Sequence, residues 1–385
     1  MPQPADLRGL TLIDLAGMGP SARCVRLLAD LGARWIRLTP PAKAERWSVP
    51  WHSYGAMRGA ELIELDLKAP HGRDTFLKLV KRADIVVESS RPGVADRLGI
   101  GWRDASAVNP RLIYASLSGY GQDGPYAQWA GHDINYQALG GALCTAGVSE
   151  RGAPAIPGQT FADSAGGGWH GAMLILAAVI ARQSTGMGKF LDVSAAEGML
   201  HMAQLSIDEY FATGEQARAG VSLTNGGYAF YDTYVTADGG AVAVGAIEPK
   251  FFRTLCLALE LPHFVDRQYD ASAQAEMRAA FVAKFNTKTR DEWAKLFGGM
   301  DACVTPVLTI GEVTEDPHWK ARGMFVDFTH PEQGTKGQLR PIGRGDPAAR
   351  GAAPVKGDAT ATRVLGEFGF SADEIAALKA DGTIG

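Results

Sequence analysis

Leu10-Thr11-Leu12-Ile13-Asp14-Leu15, then Gly17-Met18-Gly19-Pro20, then apolar groups at helical spacing over 21–31, decide the fold of this chain. The apolar run reads as a buried strand. Pro20 suits the first turn of a helix, where its missing N–H is not needed. Arg34 to Leu38 reads as the next strand, so the stretch is a βαβ unit. Outward from it, a helix over 72–82 carries Phe76, Leu77, Leu79 and Val80 and leads into a strand, Ile85-Val86-Val87. Leu112 to Leu117 reads as a further strand. Strands alternating with helices predict an open parallel sheet that takes ligands at the carboxyl ends of its strands.

Long helices are expected over 164–183 and 195–212. Beyond them the pattern changes. Tyr231 to Val244 reads as a hairpin turning at Asp238-Gly239-Gly240, followed by helices over 249–259, 272–285 and 289–298. Residues 330–358, rich in Gly, Pro and Arg, read as a long surface crossing. A terminal helix, Ala372 to Ala380, begins after Ser371 with Glu374 three residues on, a capping box. The expected class is therefore α/β. A large Rossmann-like domain takes 1–224 and is completed by 326–385, around a smaller α+β domain over 225–325.

The 385 residues suffice for one large domain or two ordinary ones. A formal net charge of −4, with no basic run and no zinc-type Cys/His spacing, speaks against nucleic acid. Cys24, Cys144, Cys256 and Cys303 lie far apart and form no C-x-x-C. With no secretory signal at the start they read as reduced cytoplasmic thiols. The longest apolar stretch, Ala172 to Ala181, is too short to span a bilayer. No metal site and no membrane partner are expected.

Several stretches can carry chemistry. Gly17-Met18-Gly19 follows a strand and opens a helix, but Ala22 holds the last glycine position of a dinucleotide fingerprint. The next strand ends Leu38-Thr39-Pro40, without a carboxylate for a ribose, so a nicotinamide cofactor is not expected. Asp66-Leu67-Lys68, with Arg91 and Arg97, reads either as solvated surface charge or as a group that holds phosphates. Gly119 to Tyr126 is a Gly-rich loop directly after a strand. Gly131-His132-Asp133-Ile134-Asn135-Tyr136 sets a histidine beside a carboxylate at an expected helix start. It is a general base near free N–H groups, or a capping Asp with a structural His. Asp163 precedes Gly166-Gly167-Gly168. Each glycine in a first helical turn costs about 1 kcal/mol against Ala, so something must pack closely there. Asp163 is either functional or a plain N-cap. Glu248 sits between a strand and a helix, where an exposed carboxylate is ordinary.

Taken together these stretches resemble the type III CoA-transferase (CaiB/BaiF) family over nearly the whole chain. The resemblance runs from Leu15-Ala16-Gly17-Met18-Gly19-Pro20 through Leu65-Asp66-Leu67-Lys68 and Arg91-Pro92-Gly93-Val94 to Asp301-Ala302-Cys303-Val304-Thr305-Pro306. Gly131 to Tyr136 and Gly245-Ala246-Ile247-Glu248-Pro249 resemble, within that family, the racemases of 2-methylacyl-CoA thioesters. The resemblance implies that His132 and Asp163 are the two acid/base residues flanking the substrate's α-carbon. Glu248 would support His132, and Asp133 would position the thioester oxygen. Leu65, Asp66, Leu67, Lys68, Ser89, Ser90, Arg91, Arg97, Gly131 and Tyr136 would lie along the CoA. It also implies an interlocked homodimer and no cofactor beyond the CoA of the acyl-CoA substrate.

The chain departs from the pattern at Pro40, where racemase-like sequences commonly carry Arg, and at Met57-Arg58-Gly59-Ala60, which answers an N-R-G-K stretch. Tyr136-Gln137-Ala138-Leu139-Gly140-Gly141 leans toward the transferases. Two reactions stay open. Racemisation needs a base on one face, an acid on the other and donors for an enolate oxygen. CoA transfer needs only a carboxylate nucleophile at Asp163, which leaves His132 as the discriminating residue. A non-catalytic CoA-binding protein is a third reading.

Overall fold

The computed structural model describes residues 6–16, 18–41, 57–330, 334–344 and 356–385. Gly17 lies outside the described residues.

Six strands form a parallel sheet: β1 (Thr11–Asp14), β2 (Arg34–Thr39), β3 (Glu61–Glu64), β4 (Ile85–Glu88), β5 (Ile113–Ser118) and β6 (Lys189–Ser194). Their order is β3-β2-β1-β4-β5-β6. This is an α/β protein with the open Rossmann-like sheet expected. Strands buried on both faces read as apolar runs, and their pleat divides two cores. Ile13, Ile36, Val86 and Tyr114 pack on one side with helices Gly72–Val80, Asp358–Glu367 and Ala372–Ala380. Leu12, Trp35, Ile85 and Ile113 pack on the other with helices Pro20–Asp30 and His170–Thr185.

The chain leaves β1 for β2 and β3 on one side, then returns to β4 on the other. A crevice therefore opens at the carboxyl end of β1, the switch point of such sheets. Beneath it Asp14 is fully buried. It accepts hydrogen bonds from the Ala16 amide at 2.7 Å, Trp35 Nε1 at 3.0 Å and Arg37 Nη1 at 3.2 Å. Burial pushes its carboxyl up to about 6 against the pull of Arg37.

The C-terminus closes the outer edge. Asp66 donates to the Thr383 carbonyl at 2.9 Å, and Leu65 bridges Ile384. Arg34 and Arg363 each bind both Glu61 and Glu367, tying β2, β3 and helix Asp358–Glu367 together. β3 and helix Asp358–Glu367 are elements absent from the sequence reading. Glu61 and Glu64 at the ends of β3 mask its strand pattern, and the charge of Glu61 is matched by Arg34 and Arg363, distant in sequence.

A second compact unit comprises residues 141–158 and 204–319, and the first comprises 1–140, 159–203 and 320–385. The second unit thus takes in residues 141–158 and 204–224, which the sequence reading gave to the large domain. Neither stretch has a buried residue to tie it to the sheet. The helix expected over 195–212 breaks at Ala203, where burial stops. Helix Ala195–Met202 buries Ala195 and Met199, whereas helix Gln204–Thr213 buries nothing. The second unit holds the expected hairpin, β7 (Tyr231–Val235) and β8 (Ala241–Gly245), with β9 (Val304–Pro306) added antiparallel. Gly239 supplies the positive φ of its turn. Phe230, Tyr234, Phe252, Phe281 and Phe285 fill its core. Gly334–Leu339, within the stretch read as a surface crossing, pairs antiparallel with Phe325–His330, which precedes it.

One helical run, Ala162–Thr185, is long and apolar enough to cross a membrane, at 24 residues and mean hydropathy 1.4. Length alone, judged from 172–181, underestimates it. Its first eight residues are π-helix, and Ala162, Gly166, Gly167 and Gly168 among them are buried. Gly167 sits against Pro20, a Cβ on Gly168 would come within 2.7 Å of Arg23 Cβ, and one on Gly166 within 2.6 Å of the Ala195 carbonyl. Gly198 lies on the Gly166 carbonyl from the other side. The glycine run is therefore explained by helix packing. A methyl group at 198 would meet backbone, and overpacking of this kind typically costs about 1–3 kcal/mol. Gly198→Ala should lower the denaturation midpoint by that amount in a urea titration, while Gly366→Ala, with open space around it, should not.

Candidate active site

The loop after β5 turns back through Gly121, at positive φ, and leads to helix Asp133–Leu139. His132 is its N-cap, with its backbone N–H on Asn135 Oδ1 at 3.0 Å. Asp133 occupies the first helical position. Tyr136 is buried, and its hydroxyl donates to the Gly131 carbonyl. Gly119 and Gly131 both face this ring so closely that neither has room for a Cβ. Their reason for being glycine is thus Tyr136. Tyr120 packs edge-on against it at 5.2 Å between centroids.

Asp163 meets this helix from the π-helical turn. It is not the N-cap of its helix, which begins after Phe161, so the plain capping reading fails. Its backbone N–H donates to Asp133 Oδ1 at 2.8 Å. The other oxygen of Asp133 accepts from Gln137 Nε2. Across the crevice, Gly19 leaves the Asp163 carboxyl room, a Cβ there falling 3.6 Å from Oδ2. Burial pushes the Asp163 carboxyl up to about 6. The Asp133 carboxylate adds to the rise, while Arg23 and His132 oppose it. His132 itself is exposed. Burial, with Tyr120, Asp163 and Asp133 adding to it, pushes the Tyr136 hydroxyl up to about 12, so it stays a donor.

His132, Asp133, Asp163, Gly131 and Tyr136 therefore share one wall of the crevice. The remaining candidates lie elsewhere. Leu65, Asp66, Leu67 and Lys68 follow β3. Leu65 is buried, Lys68 is exposed, and the Lys68 amide donates to Asp66 Oδ1. Ser89, Ser90 and Arg91 follow β4, and Arg97 ends the short helix behind Gly93. β3 and β4 flank β2 and β1, so the two groups stand about 14 Å apart at the strand spacing of about 4.8 Å. Arg91 also borders a cavity of about 220 Å3 with Glu88, Trp102, Ser116 and Gln122. Glu88 there is buried and raised by burial, and it accepts from Ser116 and from the Ser90 amide.

Glu248 belongs to the second unit. It is exposed and caps helix Pro249–Ala258 through its carbonyl, on the Phe251 and Phe252 amides, with no cap bond from its side chain. Gln268 and Tyr269 hold the preceding Ile247 carbonyl at 2.7 and 3.1 Å. The Glu248 carboxylate adds to the rise that burial gives the Cys303 thiol. Among the described residues no three His, Cys, Asp or Glu side chains are grouped to hold a metal.

Sequence reasoning missed Gln137, Gly19 and Arg23 as neighbours of the acid. The Asp133–Gln137 spacing of one helical turn is a signal for the first. Nothing in the local pattern signals the others, which arrive from helix Pro20–Asp30 and its approach.

The model of the CoA-transferase family III matches residues 7–360. The chain belongs to CoA-transferase family III. A human alpha-methylacyl-CoA racemase is 39% identical over 382 residues, covering 97% of this chain and 96% of that protein. The succinyl-CoA–D-citramalate CoA-transferase of Chloroflexus aurantiacus is 31% identical, covering 86% and 85%. Among solved structures, a CAIB/BAIF family protein from Brucella suis is similar with a TM-score of 0.79 at 26% identity, covering 95% of this chain and all of that one. The relatives of this chain thus carry names of two reaction types, a racemase and a CoA-transferase.

The raised carboxyl gives a signed expectation. Below about pH 4 the Asp163 carboxyl is protonated whether the chain is folded or not. Between there and about 6 the folded state binds the extra proton, so stability falls as pH rises. Asp163→Asn, which cannot ionise, should match the wild-type melting temperature at pH 4 and exceed it at pH 7.5. A wild type that melts higher at pH 7.5 would show that the acid is not destabilised by its surroundings.

Proposed function

We propose that this protein is a racemase of 2-methylacyl-CoA thioesters, moving a proton at the α-carbon through an enolate. The observation that carries this reading is the pairing of His132 with an Asp163 carboxyl whose pKa is raised to about 6. An acid that gives and takes a proton near neutral pH is what a two-base mechanism needs on one face. His132 takes the α-proton on its face. Asp163, protonated, delivers one to the other face. Once product has left, His132 loses its proton to water and Asp163 regains one from it, which resets the free enzyme. The developing enolate oxygen is held by the Asp133 amide at the helix start, where N–H groups lack intrahelical partners. The identity to the human racemase supports the substrate class. CoA is part of the substrate, and the reaction needs no resident cofactor.

For the CoA we assign Lys68 with Leu65, Asp66 and Leu67 to one side of the switch point. Ser89, Ser90, Arg91 and Arg97 take the other, with Gly131 and Tyr136 toward the thioester. Pro40 ends β2 between them without a cation. Arg58, which keeps the arginine of the N-R-G-K stretch, is buried and binds Gln338 and Asp30, so it serves the core. A cytoplasmic setting fits the four cysteines, which are free thiols.

We also propose a homodimer, and a domain division that follows the two compact units. Residues 141–158 and 201–228 bury no side chain within one chain. Trp169, Met173 and Ile180 expose an apolar face of helix Ala162–Thr185, and Phe211 is 80% exposed. Patches of this kind mark interaction surfaces, and a second copy is the occupant we assign. In that assembly Glu248 supports the partner's His132, as the family resemblance implies. Refolding a mixture of Glu248→Ala and His132→Ala chains should then restore part of the activity that each lacks alone. Full activity in a sedimenting monomer would remove the trans assignment.

The reaction itself is read in heavy water. The wild type should deuterate and epimerise a 2-methylacyl-CoA with no added carboxylic acid. Removing a general base typically costs about 10²–10⁴-fold, so His132→Ala and Asp163→Asn should each lose net racemisation. Each should still exchange one epimer on the face that keeps its base. If no exchange occurs, and CoA passes to an added acid through a hydroxylamine-sensitive adduct on Asp163, the protein is a CoA-transferase.

A further inference from the structure

Gln137 lies one turn below Asp133 on the same helix and is 1% exposed. Its Nε2 donates to Asp133 Oδ2, while its Oε1 is buried and has no hydrogen-bond partner. An ionised carboxylate only accepts, so the amide must turn its nitrogen to Asp133 and leave its oxygen unsatisfied. A buried acceptor without a partner is costly, and an apolar side chain of the same shape would avoid the cost. The one bond that Gln137 makes therefore needs a purpose beyond packing. That bond leads directly to the reacting acid, because Asp133 Oδ1 accepts the Asp163 amide.

We propose that Gln137 is a positioning residue for the reaction: it clamps Asp133 against the Asp163 amide and so fixes the Asp163 carboxyl opposite His132. The proposal rests on the proton-transfer reading of this site. Asp163 is faced by Asp133 and His132 from the start of one helix, by Tyr136 one turn on, and by Arg23 from helix Pro20–Asp30. Of these, Asp133 is the group whose negative charge Gln137 holds in place. Loosening the clamp lets that charge swing away from Asp163, and a second charge at 137 does the opposite.

Two variants separate the effects. Gln137→Met keeps the length and removes the donor. The pH limb of α-deuteration that belongs to Asp163 should move to lower pH. kcat should fall about tenfold or more, as for a lost hydrogen bond to a charged group, with KM for the acyl-CoA little changed. Gln137→Glu keeps the shape, and its ionisation should move the same limb to higher pH. It also serves if the Met variant fails to fold. The Asp163 carboxyl is followed separately by 13C titration of aspartate-labelled protein, assigned with Asp163→Asn. Opposite shifts in the two folded variants uphold the proposal. An Asp163 titration that neither variant moves, with rate losses that only track melting temperature, overturns it and leaves Gln137 a packing residue. Because the titration needs no turnover, a wild type that fails to deuterate substrate refutes the racemase reading and still leaves Gln137 to be judged.

Discussion

Helix Pro20–Asp30 packs closely on the first turns of helix Ala162–Thr185, with the Pro20 and Arg23 side chains against Gly167 and Gly168, and the active wall is organised by that approach. Glycines at 167 and 168 leave room for those side chains, while Gly166 and Gly198 let the π-helical turn lie against helix Ala195–Met202. Ordinary helices stand 8–10 Å apart because side chains intervene. Here one helix contributes no Cβ at Gly167 and Gly168, so the start of one helix and the π-helical turn of the other share the crevice at the end of β1. Asp163 rides on that turn. Its room beside Gly19 and its electrostatic exposure to Arg23 both follow from how near helix Pro20–Asp30 comes.

A π-helical segment costs hydrogen-bond geometry and is found mostly at functional sites. In this chain it points the Asp163 amide at Asp133 rather than along its own helix. The carboxyl is thereby left without a capping duty and half-buried, and burial is the largest cause of its raised pKa. Two carboxylates near one another, only one of them held by donors, is an arrangement that separates an acid from a permanent charge.

The sheet was largely legible. β1, β2, β4 and β5 are apolar runs between helices, and Pro20 and Ser371 mark helix starts through chemistry that acts within one turn. What escaped the sequence depends on distant partners. β3 carries Glu61 for Arg34 and Arg363, and helix Asp358–Glu367 carries Glu367 for the same arginines. The glycines at 166–168 did announce a close approach, though the object packed there is a helix of the same chain. At the site, His132, Asp133 and Asp163 were visible as residue types in suggestive places. Gln137 was visible only as part of a run, because its importance lies in which atom of Asp133 it holds.

The C-terminal residues give the large unit a history as well as a shape. Leu65 finds its bridging partner in Ile384, and Asp66 finds its acceptor in Thr383. Synthesis delivers Thr383 and Ile384 more than 300 residues after Leu65, so the edge beside β3 stays open while the intervening chain is made. The second unit, whose long stretch ends at Trp319, is already out by then. Domains fold as units during synthesis, and contacts between distant parts of a chain form slowly. The smaller body is thus complete in sequence before the partners that close the sheet's edge are made.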